Sequence, residues 1–255
     1  MIKLTRPSKP QELIKNEETL RARYNKNKKS CVWKEKYIKE ALLKMSHGKC
    51  VYCETKLNEC DSYMEVDHFH CKSLYPKLVV DWDNLLPACR RCNLAKSDHN
   101  VQEEPIINPV DVDPKEYLVF SWYQYYPRNR DVLGENTIDV LDLNDTDKLG
   151  VPRLRIGSEI CKNLEDCREQ MEKLISAGYS STKDERNIKR KFEAILKEAI
   201  PEKEFSALVA TVIFDCPDYA PLKSLLKEAG MWTTEMTELE QGAYEIALCR
   251  NEVKL

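Results

Sequence analysis

Two Cys-x-x-Cys pairs, Cys50/Cys53 in KCVYCE and Cys89/Cys92 in PACRRCN, constrain the fold of this 255-residue chain more than any other feature. Four thiolates in two such knuckles suit one tetrahedral Zn²⁺, which would hold both ends of the segment together around whatever lies between. Between them lie the strand-like string YMEVDHF at 63–69 and the polar Asn84; Asn93 and Lys96 follow the second knuckle on a predicted short helix, 90–96. The other cysteines read differently. Cys31, Cys161, Cys167, Cys216 and Cys249 sit in helix-like apolar contexts typical of core residues, whereas Cys60 and Cys71 are near enough in sequence to replace a knuckle ligand.

The chemistry between the knuckles points to phosphodiester hydrolysis, which needs an attacking water, a base to deprotonate it and a cation to stabilise charge on the phosphate. Adjacent strand residues face opposite ways, so Asp67 can hold a divalent ion while His68 addresses water from another direction. Imidazole titrates near neutrality and suits the role of base. The Asn93 amide oxygen can complete a hard-cation site with Asp67, and Asn84 can fix the loop and the His68 ring. His70, two residues beyond His68, is a candidate to line the site, to bind phosphate or merely to pack. His99 ranks behind Asn93 as a ligand, and His47 reads as a helix terminus. Trp33, Trp82, Trp122 and the 123–126 tyrosine cluster read as core packing, with base stacking as the alternative.

The strings CVYC, EVDHFHCKS, DWDNLLPACRRCN and NLAK resemble, in this order, the HNH endonuclease family in its zinc-stapled, His-Me finger (ββα-metal) form. The resemblance implies His68 as general base, Asn84 as the central asparagine, Asn93 and Asp67 as ligands of a catalytic Mg²⁺ or Mn²⁺, and Lys96 as a phosphate contact. His70 and Arg90 join Lys96 as substrate-binding candidates. MIKLTRP, CVYCE, DHF-x-x-KS, DW-x-NLL-x-AC and TIDVLDLN resemble, more narrowly, the nuclease subunit of Septu-type anti-phage systems, including retron-associated relatives. That implies an ABC-type ATPase partner, a DNA or RNA substrate and a possible retron component; His70-Cys71 stands where members more often carry Arg-Pro. Two other functions compete: a non-catalytic zinc module that docks nucleic acid or protein, and a restriction-type endonuclease working alone.

Charge and composition bound these readings. The net charge of −3 is weak for a chain that grips nucleic acid unaided, yet residues 1–49 hold fourteen Lys or Arg against five Asp or Glu, and residues 201–255 hold five against ten. A basic arm can face phosphates and an acidic tail suits a protein partner; the other reading of both is solvated helix faces. No apolar run approaches the ~18 residues that span a membrane, and the first ten residues lack a leader's apolar block, so a cytoplasmic location is expected. An odd eleven cysteines in that reducing compartment argue for metal or free thiols over disulfides.

The resulting expectation is a mainly helical α+β chain: a basic helical arm at 1–49, a zinc-stapled ββα-metal core at 50–110, and a hairpin plus helical region at 111–255. Helices are expected at 10–29, 30–48 with Ser30 as N-cap, 152–177, 182–199, 202–214, 222–229 and 233–250. The aromatic run from Tyr117 and the string NTIDVLDL at 136–143 both read as strand.

Overall fold

The computed structural model describes residues 1–57, 63–121, 123–179 and 181–249; Cys60 and Trp122 lie outside the described residues. The chain divides into two compact units. The first comprises Met1–Tyr117 and Tyr126–Asn144, the second Leu118–Tyr125 and Asp145–Leu255.

The first unit opens with helix α1 (Gln11–Lys26), whose Leu13, Leu20 and Tyr24 form one buried stripe at helical spacing. A 3₁₀ turn at Val32–Lys34 buries Val32 and Trp33, and α2 (Lys36–Met45) follows with Ile38, Leu42 and Met45 inward. The single helix expected from Ser30 is therefore split. Ser30 does not cap α2; its hydroxyl donates to the Asn27 carbonyl and closes the turn after α1. Cys31, read as a core residue, is exposed at this turn. His47 and Gly48 end α2, both with positive φ. Strands β1 (Met64–His68) and β2 (Leu85–Cys89) pair antiparallel in the register Met64↔Cys89 through His68↔Leu85, and α3 (Arg90–Lys96) continues directly from β2. This is the ββα element, with one cysteine knuckle before it and the other at its strand-to-helix junction.

The boundary expected at residue 49 does not separate packing units, because the first residues are fastened to the ββα element. Arg6 donates to the carbonyls of Trp82, Asp83 and Leu85, and the Trp82 indole donates to Pro7. Trp82 is buried there as packing.

Residues 136–143 correct the strand reading: Val132–Val140 is helix α4, preceded by a two-stranded hairpin of β3 (Leu118–Ser121) and β4 (Gln124–Pro127). Capping overrides β-branched propensity here. The Asp131 carboxylate accepts from the Gly134 amide at 2.9 Å, closing the first turn. A Cβ on Gly134 would sit 2.4 Å from the Tyr117 carbonyl oxygen, so only glycine fits against that backbone.

In the second unit, helix α5 (Val151–Ser176) buries Ile160, Leu164, Cys167, Met171 and Leu174 along one stripe. Helices α6 (Thr182–Lys197), α7 (Ser206–Asp215), α8 (Tyr219–Glu228) and α9 (Thr234–Ile246) close around it, with α7 almost wholly buried. Fully buried Leu164, Met171 and Phe192 share this core, each contributing about 2 kcal/mol of apolar burial. Cys161, Cys167, Cys216 and Cys249 belong to it or pack against it. No helix among the described residues is long and apolar enough to cross a membrane.

Candidate functional site

The four-cysteine cluster is built by local turns. Cys50 receives a hydrogen bond from Glu54 N and donates its own amide to Thr55, so the knuckle doubles back, with Glu54 at φ 65°. Cys89 ends β2 as the N-cap of α3, its sulfur accepting from Cys92 N. All four sulfurs lie within 4.8 Å of one another and all four residues are buried. Zn–S bonds of about 2.3 Å put tetrahedral thiolates roughly 3.8 Å apart; the Cys53 and Cys89 sulfurs are 3.7 Å apart. The cluster fits a closed, structural tetrahedral ion. Cys71 is not part of it: its thiol is directed to the Asp98 carbonyl.

Two features around the cluster escaped the sequence reading. Arg91 donates to the Cys92 sulfur at 3.3 Å and to the carbonyls of Leu141 and Asp142, placing a guanidinium against the thiolates. Such an outer contact both orients a ligand and offsets its charge. Beside the first knuckle, buried Glu54 accepts from Lys49 and from the Met1 ammonium. Burial alone would raise the Glu54 carboxyl, but these two cations hold it well below the usual carboxylate range.

On the other side of β1 lies a cleft of about 470 Å³ whose lining includes Trp33, Glu65, Asp67, His68 and Asn93. His68, 5% exposed, has its Nε2 at 2.9 Å from the Val79 carbonyl and its ring edge-on to Trp33 with centroids 4.8 Å apart. A carbonyl only accepts, so Nε2 carries the hydrogen and Nδ1 is the basic nitrogen of the neutral ring. Burial pushes the imidazole down to about 4, outweighing the Val79 carbonyl and Asp67, which favour the protonated form. Asn84 sits beneath this loop. Its side chain accepts from His70 N and donates to the carbonyls of His70 and Leu78, fixing the residues that lead to Val79.

Asp67 is held from below. Tyr52 donates to one carboxylate oxygen at 2.6 Å and Lys96 to the other at 3.0 Å, while Lys96 also reaches the His68 carbonyl at 2.7 Å. Lys96 is only 1% exposed, so the ammonium expected at phosphate is instead a buried prop for Asp67. Asn93 donates its amide nitrogen to Glu65 at 2.6 Å, leaving its oxygen for a cation.

The fit to a hard divalent ion rests on these donors. Each Asp67 oxygen accepts one hydrogen bond and keeps a further lone pair, and Glu65 adds a carboxylate with no cationic partner among the described residues. Magnesium commonly uses one or two carboxylates and completes its shell with water and substrate phosphate, so an open, partial set is the appropriate form. Glu65 was missed although its signal was available: it stands two residues before Asp67, on the same strand face.

The remaining candidates lie elsewhere. Arg90 is exposed and outside the cleft lining. His70 follows the end of β1, packs edge-on to Phe69 and Tyr75, and does not share the cleft with His68. His99 Nε2 is 2.7 Å from the Glu104 carbonyl.

Comparison with known proteins falls on the same segment. Residues 50–99 match the HNH endonuclease family. A "Septu protein PtuB" of Bacillus thuringiensis is 40% identical over 95% of this chain and 93% of its own length. A second protein of that name, from Bacillus mycoides (strain KBAB4), is 32% identical over 35% of this chain and 40% of its own. No solved structure matches the chain. Identity at this level across nearly the whole of both chains, with the HNH match falling on the cysteine-framed cleft, makes the chain a member of the Septu PtuB family and an HNH endonuclease.

Proposed function

We propose that the chain hydrolyses nucleic-acid phosphodiester bonds as the effector subunit of an anti-phage defence complex, with His68 as the general base. The observation that carries this reading is the fixed His68 ring, tethered through Nε2 to Val79 and opening into the same cleft as Asp67 and Asn93. In this role Nδ1 takes the proton of the attacking water, and Trp33 and the Val79 carbonyl limit the ring's rotation. Asn84 keeps the Val79 segment in place. Asp67, Asn93 and Glu65 would hold Mg²⁺ or Mn²⁺, which supplies electrostatic stabilisation of charge on the phosphate. Cys50, Cys53, Cys89 and Cys92 would hold a Zn²⁺ whose contribution is purely structural, and four reduced thiols suit a cytoplasmic location. An ABC-type ATPase partner, and a retron component where one is present, follow from the resemblance to Septu-type nuclease subunits; the acidic C-terminal region supports a protein partner.

The test incubates the purified chain, with and without its ATPase, with total cellular DNA and RNA in Mg²⁺ or Mn²⁺. Wild type is expected to cleave one of them. His68→Ala should lower the rate by at least about a hundredfold while folding and zinc content persist. Undiminished cleavage by His68→Ala would remove the assigned base.

A further inference from the structure

The cleft lacks the cations expected to grip substrate: the Lys96 ammonium is buried against Asp67, and neither His70 nor Arg90 lines the cleft. Its floor is acidic, with Glu65, Asp67 and Asp98 in the lining, so a phosphate brought near His68 needs positive charge from somewhere else. The same lining contains three lysines. Lys34 and Lys39 come from the segment between α1 and α2 and from α2 itself, and Lys72 comes from the turn after β1. None of the three has a carboxylate partner among the described residues, whereas Lys9, Arg21, Arg23 and Lys36 of the same basic region are all ion-paired.

This segment is fastened to the catalytic residue. Trp33, buried in the 3₁₀ turn, packs edge-on to His68 with ring centroids 4.8 Å apart, and Lys72 Nζ lies 5.4 Å from the Trp33 ring. Tyr24 of α1 also packs on Trp33, at 6.1 Å. Lys34, Lys39 and Lys72 are thus held around the mouth of the cleft. Tyr63, 73% exposed, and Leu94, 62% exposed, border the same opening with apolar surface suited to an unstacked base.

We propose that residues 31–39, which lie outside the HNH-matched residues 50–99, form the second wall of the active site, and that Lys34 and Lys39, with Lys72 beside Trp33, bind backbone phosphates of the nucleic-acid strand next to the scissile bond. This rests on the nuclease reading of His68 and names the substrate grip that reading requires. Of the arm's cations, Lys34 and Lys39 are the ones that line the cleft.

The experiment measures binding of fluorescein-labelled single-stranded DNA and RNA oligonucleotides by fluorescence anisotropy across a salt series, using full-length His68→Ala protein. The triple substitution Lys34→Gln, Lys39→Gln, Lys72→Gln should weaken binding about tenfold or more at low salt. It should also flatten the log–log salt slope by about 2, from three contacts at ~0.7 each. Lys26→Gln and Lys36→Gln, on the same arm, should change affinity less than about twofold. Unchanged affinity and slope in a triple variant that retains zinc would overturn the proposal, as would absence of binding by the unsubstituted chain. Cleavage assays run alongside keep the two readings apart: wild-type cleavage with an unaffected triple variant refutes only the wall, whereas cleavage surviving His68→Ala refutes the assigned base.

Discussion

At the scale of single residues, Lys96 shows how burial changes a side chain's meaning. A lysine late in the short helix reads as a phosphate contact, yet its ammonium is shut in between Asp67 and the His68 carbonyl. Removing one member of a buried pair leaves the other charge uncompensated, typically at about 3–5 kcal/mol. Lys96→Ala is therefore expected to lower stability by about 3 kcal/mol in urea denaturation. A change below about 0.5 kcal/mol, the range of an ordinary surface substitution, would contradict the buried arrangement. Residue spacing made the four cysteines legible as one cluster, since two short knuckles can meet at one ion whatever the chain does between them. The Trp33–His68 contact had no comparable signal. It joins residues far apart in sequence through the packing of α1, α2 and β1, and nothing in either neighbourhood announces the other.

Elements were legible where one periodicity was unopposed. The buried stripes of α5, α6 and α9 gave their helices directly, and the alternation around Asp67 gave β1. Residues 136–143 misled because Ile138, Val140 and Leu141 alternate like a strand while the deciding information lies upstream, in the Asp131 cap and the close approach at Gly134. Asp131→Ala should accordingly destabilise the protein by about 1 kcal/mol, read from its urea midpoint, with Asp131→Asn largely restoring it. Equal stability of the alanine and asparagine variants would mean that the cap is not what holds the first turn of α4. The split between the 3₁₀ turn and α2 likewise lay outside any periodicity, since Val32 and Trp33 fit the helical period of α2 yet are buried in a separate turn ahead of it.

Across the whole molecule, the two units rest on different supports. The first contains the four-cysteine cluster and small, short elements; the second has a continuous apolar core spanning five helices. Removal of the proposed Zn²⁺ by a strong chelator should therefore abolish amide-exchange protection in β1, β2 and α3 while α5 to α9 keep theirs, as followed by hydrogen-exchange mass spectrometry. Uniform loss across both units would show that the helical core depends on the metal as well. The order of the units along the chain was not readable from composition, because the aromatic run after Tyr117 leaves the first unit at Leu118 and the chain returns to it at Tyr126. That interlacing has a consequence for what deletions such a gene can tolerate. A chain ending at Tyr117 would lack α4 and the carbonyls of Leu141 and Asp142 that hold Arg91 against the cysteine cluster. One ending at Asn144 would keep Phe120 and Tyr125 but strip them of Arg153, whose guanidinium lies over both rings. Neither cut is clean, since each leaves residues of one unit without their partners.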